Sequence, residues 1–158
     1  MTEQQTQTKA DFLAGMFRFQ HGIFENALDS LSDDIALKTL QGTKNHMNWL
    51  LGHIVHCRYM LSGMIGNGRP NPFGDLYWKG VADVSYPTVA EIAAQMTEVT
   101  KLLMEQFAVL SDEDIVVQKN DETSLSDIIS FFAYHEAYHL GQIGMIRKGV
   151  GLGTLKSN

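Results

Sequence analysis

The stretch His135-Glu136-Ala137-Tyr138-His139-Leu140-Gly141-Gln142 decides how this chain reads. At ~100° per residue, two histidines four apart on a helix lie about 40° apart and face one side. That spacing lets two imidazoles grip one metal ion, and it recurs as H-E-x-x-H in zinc hydrolases. A metal site then needs a third ligand, and the search for it runs outward through the chain.

Around the motif, the spacing predicts a helix over about 124–148. Ser124-Leu125-Ser126-Asp127 opens it and Gly149 is its expected stop. Ile128, Phe131, Phe132, His135, His139 and Gln142 read as its inner face. Arg147 and Lys148 fall in the last turn, where they favour the helix dipole. The glycine-rich tail, 149–158, reads as loosely held.

Three more segments carry the same periodicity. Phe12, Leu13, Met16, Phe17, Phe24, Ala27, Leu28 and Leu31 define a first helix over about 8–31, with His21 on its stripe. A connector at 35–42 separates it from a second helix at about 43–65. On that helix His46, Trp49, His53, Cys57 and Met60 follow at three- and four-residue steps, so they share one stripe. His56 lies at its edge. Thr88-Val89-Ala90-Glu91 is a capping box. It opens a third helix to about Leu110, with Ile92, Met96, Val99, Leu103 and Phe107 inward.

Between the second and third helices, Gly66-Asn67-Gly68-Arg69-Pro70-Asn71-Pro72-Phe73-Gly74 is a breaker cluster, and the connection continues to Pro87. A connection that long can run the length of a bundle and leave the two helices parallel. No segment alternates like a strand. The expectation is an all-α, single-domain four-helix bundle over 1–158, with a long connection between helices two and three.

Bundled helices meet near their midpoints, so His53 can join His135 and His139. Three neutral imidazoles leave a position open for water or substrate, the layout of a catalytic site. A peptidase is disfavoured: no His, Asp or Glu follows His139, and the substrate cleft of such enzymes needs a sheet edge.

Composition narrows the function classes. The formal net charge of -6 offers no footprint for nucleic acid and none for an anionic membrane. No apolar run reaches the ~20 residues of a membrane span. Cys57 is the only cysteine, which excludes an intrachain disulfide and suits a reducing compartment. The polar beginning lacks a signal-peptide layout. A cytoplasmic location is expected.

The two stretches Asn48-Trp49-Leu50-Leu51-Gly52-His53-Ile54 and His135 through Arg147 resemble the DinB/YfiT-like superfamily. The resemblance implies a four-helix bundle binding a divalent metal through one histidine of helix two and an H-x-x-x-H pair of helix four. The matching positions are His53, His135 and His139. Imidazole ligands suit zinc, nickel, iron and copper alike, and zinc, nickel or iron is the expected ion; by analogy with thiol S-transferases and isomerases, the resemblance further implies a low-molecular-weight thiol as co-substrate. A homodimer is implied as well. The functional expectation is a metal-dependent, thiol-using S-transferase or hydrolase acting on a small electrophile. The alternative is a non-catalytic binding or stress-response bundle with a structural metal or none.

The remaining polar residues have competing readings. Glu136 is turned about 100° from the metal-facing direction. It is a candidate base acting through water, or a residue that supports a ligand from behind or makes a surface ion pair. Gln142 is a candidate for orienting a ligand, or a packing residue. His21 and His46 read as structural, His56 as a rim residue and Cys57 as an inert buried thiol. Tyr77 and Trp78 read as a lid or a dimer contact.

Overall fold

The computed structural model describes residues 7–79 and 84–156. Within them the chain forms α1 (Lys9–Leu28), α2 (Asp33–Ala36), α3 (Met47–Ile65), α4 (Leu76–Lys79), α5 (Val89–Phe107), α6 (Asp112–Ile115) and α7 (Leu125–Gly149). No strand occurs among the described residues, only an isolated bridge between Gln118 and Ser124. None of these helices is long and apolar enough to cross a membrane.

The four long helices make the bundle. α3 packs on α5 and α7, and α1 packs on the same two, so α1 and α3 are diagonal partners. Asn48, near the start of α3, bonds the Pro87 carbonyl at the start of α5. Gln106, near the end of α5, bonds the Ser62 carbonyl at the end of α3. The two helices are therefore parallel, and the 66–87 connection is the crossover that allows it. Residues 80–83 of that connection lie outside the described part.

Capping boxes start α1 (Thr8 with Asp11), α5 (Thr88 with Glu91) and α7 (Ser124 with Asp127). In each, the hydroxyl and the carboxylate satisfy backbone amides that have no partner within the helix. α3 differs: it begins at Met47 rather than near Thr43, and His46 is its cap. The His46 Nδ1 accepts the Trp49 amide at 3.1 Å.

α7 runs one residue past the sequence expectation. Gly149 is helical, and the stop is Gly151 at φ +86°. The Leu152 amide bonds the Arg147 carbonyl and the Gly151 amide bonds that of Lys148, the paired closure that a left-handed residue after the helix permits. Arg147 sits in the last turn of α7, as expected, and does more than favour the dipole of its own helix. Its guanidinium is buried and bonds the carbonyls of Ala27 and Asp29, closing the end of α1. The tail is not loose through 156: Leu155 packs against the core and the Lys156 carbonyl accepts from Asn26.

Two further expectations change. On α1 the core takes Ala10, Ala14, Phe17, Phe24 and Ala27, while Phe12 and Met16 face outward. On α7 the buried face is centred on Ile129, Phe132, Ala133 and Glu136, and Phe131 is 56% exposed. Glu136 lies on this buried face: a carboxylate reads as surface from sequence, but this one has a buried counter-charge in Arg58.

Candidate metal centre

α3 is buried on nearly all sides because α5, α7 and the crossover cover it. Its His53 faces α7 at the height where His135 and His139 face back. One ring nitrogen from each of the three residues lies within 4.8 Å of the other two. His53 and His139 are buried and His135 is half-buried, so the cluster sits in the α3–α7 groove rather than at the centre of the core.

Hydrogen bonds settle which nitrogens face inward. His53 Nδ1 is 2.7 Å from the Tyr77 carbonyl oxygen. A carbonyl only accepts, so Nδ1 carries the proton and Nε2 keeps its lone pair. His139 Nδ1 is 2.6 Å from Gln142 Oε1, and the same logic leaves its Nε2 unprotonated, with its lone pair free. That Nε2 lies 3.1 Å from His135 Nε2. Histidines that hold metals characteristically anchor the far nitrogen in this way.

The rings are held by stacking. Trp49 lies on one face of His53 at 4.7 Å between centroids, and Trp78 on the other at 6.0 Å. Phe131 stacks on His135 at 5.6 Å. Burial holds all three imidazoles below the usual histidine range. His53 is lowered to about 4, mostly by burial, with the Tyr77 bond opposing and the neighbouring imidazoles adding to the shift. His135 and His139 are lowered for the same first reason. Three neutral imidazoles whose ring nitrogens converge, with the His135 Nε2 proton displaced on binding, fit a divalent cation of borderline softness.

Gly52 explains how Tyr77 gets there. A Cβ at position 52 would collide with the Tyr77 ring, so only glycine leaves room beneath it. The Tyr77 hydroxyl then bonds Asn48 Oδ1 at 3.0 Å, and its carbonyl reaches His53. Tyr77 is thus a fully buried brace. Trp78 is 50% exposed and covers both His53 and His56.

Other residues with a sequence reading fall outside the cluster. His56 pairs with Asn71 at 2.8 Å. Cys57 lies 3.6 Å from His53 Nε2, and burial together with the Glu136 charge pushes its thiol up to about 12. His21 bonds Thr100 and approaches Glu25. Glu136 has both oxygens on Arg58, at 2.6 and 2.8 Å. The guanidinium also bonds Thr100 Oγ1 and the Phe17 carbonyl. With its carboxylate taken up in this way, Glu136 faces the bundle interior.

Arg58 escaped the reading of the sequence, although a signal was present. It is the only Asp, Glu, Lys or Arg between Met47 and Ile65, and a lone charge inside an apolar helix calls for a partner. Gly52 in mid-helix was a second signal, since such glycines mark a close approach.

Fold and site together define a four-helix bundle with a three-imidazole cluster able to hold a metal ion. The chain belongs to the DinB superfamily, whose family model matches residues 16–143. No curated protein is significantly similar to it.

Proposed function

We propose that this protein is a metal-dependent enzyme whose ion is held by His53, His135 and His139. Its reaction is transfer of a small thiol to a small electrophile, or hydrolysis of that electrophile. The observation that carries this reading is the convergence of three imidazole nitrogens, two of them with the opposite nitrogen tied to Tyr77 and Gln142. A zinc, nickel or iron ion bound there supplies Lewis acidity, lowering the pKa of a water or thiol in its open position.

The chain's own residues have defined parts. Tyr77 and Gln142 keep His53 and His139 in one tautomer and one orientation. Trp49 and Trp78 shield His53 from solvent. Cys57 is buried in the α3–α7 core, and buried thiols are mostly inert, so the nucleophile in this reading is a water or an added thiol. Glu136 is neutralised by Arg58, so the proton released on activation leaves through solvent or substrate. In this reading the protein works in the cytoplasm on small molecules. A homodimer is part of the same proposal.

Metal analysis of tag-free protein beside the His135→Ala/His139→Ala variant tests the proposal. The expected result is about one ion per chain in the native protein and none in the variant, followed by metal-dependent turnover in a panel of thiols and electrophiles. If native protein is metal-free, and added zinc or nickel neither binds nor raises the Tm, the chain is a binding bundle instead.

A further inference from the structure

Beside the cluster, the groove between α3 and α7 opens into a cavity of about 580 Å³. That is within the usual range for small-molecule sites. Met60 and Met64 form the α3 wall, and Ile128, Phe131 and Phe132 the α7 wall. His135 and Trp78 close the end nearest the cluster, while Asn120, Thr123 and Asp127 form the far mouth. From His135 to Asp127 is eight helical residues, about 12 Å at ~1.5 Å per residue.

The geometry points to a substrate-specificity pocket for an apolar group, at least ring-sized, carried by a molecule whose polar head reaches the three-imidazole cluster. This rests on the metal reading given above. Three features support it. His135 belongs both to the cluster and to the cavity wall, so a ligand seated there has its head beside the ligating nitrogens. The walls between the two ends are aliphatic, aromatic or thioether, and offer an apolar tail no unsatisfied polar group. Methionine walls adapt their shape, which suits a class of tails rather than one outline. Cys57, which lies 3.6 Å from His53 Nε2, also borders the cavity and adds a small, buried side chain to its α3 wall. The substrate class is therefore a small amphipathic electrophile with a cyclic or medium-length hydrocarbon portion, and not a sugar or a charged peptide.

The test uses full-length zinc-loaded protein labelled with [13C]methyl-methionine. Two hydroxamates share a metal-binding head and differ only in the tail: acetohydroxamic and cyclohexanecarbohydroxamic acid. Burying the ring is expected to make the second bind about tenfold tighter or more. The Met60 and Met64 methyl signals should shift with it, while those of Met47 and Met96, buried in the other core region, stay in place. Ile128→Trp, which fills the cavity, should abolish the difference and leave acetohydroxamate affinity unchanged. Met64→Glu, at a half-exposed wall position, should reduce it without threatening the fold.

Equal affinities for the two hydroxamates, with Met60 and Met64 unmoved, overturn the pocket and leave the metal site standing. If no zinc binds, the metal reading fails separately. Titration of metal-free protein with 2-phenylethanol then decides the pocket: shifts confined to Met60 and Met64 support it, and their absence overturns it.

Discussion

Arg58 of α3 and Glu136 of α7 form a bidentate ion pair that is 1% and 3% exposed. Arg58 lies five residues after His53, and Glu136 adjoins His135. The pair therefore sets the register of α3 against α7 at the height of the imidazole cluster. Breaking a buried pair leaves an uncompensated charge, at a cost of about 3–5 kcal/mol. Glu136→Ala should lower the unfolding free energy by that amount in urea titration of metal-free protein. An Arg58→Met/Glu136→Leu variant, which removes both charges and keeps the volume, should recover most of it. If Glu136→Ala unfolds at the native urea midpoint, the pair does not hold the register.

Gly52 should separate stability from metal affinity. In an ordinary helix interior, Gly→Ala is stabilising by roughly 0.5–1 kcal/mol. Here the added methyl meets the Tyr77 ring and displaces the carbonyl that orients His53. Gly52→Ala should weaken zinc binding by about 10–100-fold, the usual effect of losing an outer partner, measured by competition with a chromophoric chelator. Unchanged affinity with a raised Tm would mean that Tyr77 does not set the His53 orientation.

The bundle and the convergence of His53, His135 and His139 were legible because helical spacing dictates which side chains share a face. The parallel arrangement of α3 and α5 was legible from the length of the 66–87 connection. What was hidden depends on partners distant in sequence. Glu136 reads as a surface charge or a base until Arg58, 78 residues away, is brought beside it. Tyr77 reads as a lid or a dimer contact because what it gives His53 is a backbone carbonyl, which no side-chain identity reveals. Arg147 is legible as a dipole partner of its own helix, but its closure of the end of α1 depends on carbonyls about 120 residues away.

Gln142 holds His139 through a single acceptor oxygen. Gln142→Leu keeps the approximate volume and deletes that acceptor, freeing the imidazole to rotate and to change tautomer. Zinc affinity should fall about 10–100-fold with little change in the Tm of metal-free protein. Gln142→Glu, which restores an acceptor and adds a charge, should recover the native affinity or exceed it. Equal loss in both variants would show that the glutamine packs rather than orients.

His46 makes the start of α3 sensitive to acid. Its Nδ1 accepts the Trp49 amide, and a protonated imidazole has no lone pair to do so. Burial lowers its pKa from the ordinary 6.5, and the positive end of the helix dipole also disfavours the cation. Below pH 6.5 the unfolded chain binds a proton at this residue that the folded chain resists. The stabilisation is therefore complete above 6.5 and is lost as pH falls through the lowered folded value. An N-cap contributes about 1 kcal/mol, which bounds the effect. His46→Asn supplies a cap that does not titrate. Metal-free His46→Asn should match native stability at pH 7.5 and exceed it at pH 5, in urea unfolding followed by circular dichroism. The difference between the two proteins isolates this residue from the other histidines. Parallel stability curves across that range would show that the cap does not depend on the neutral imidazole.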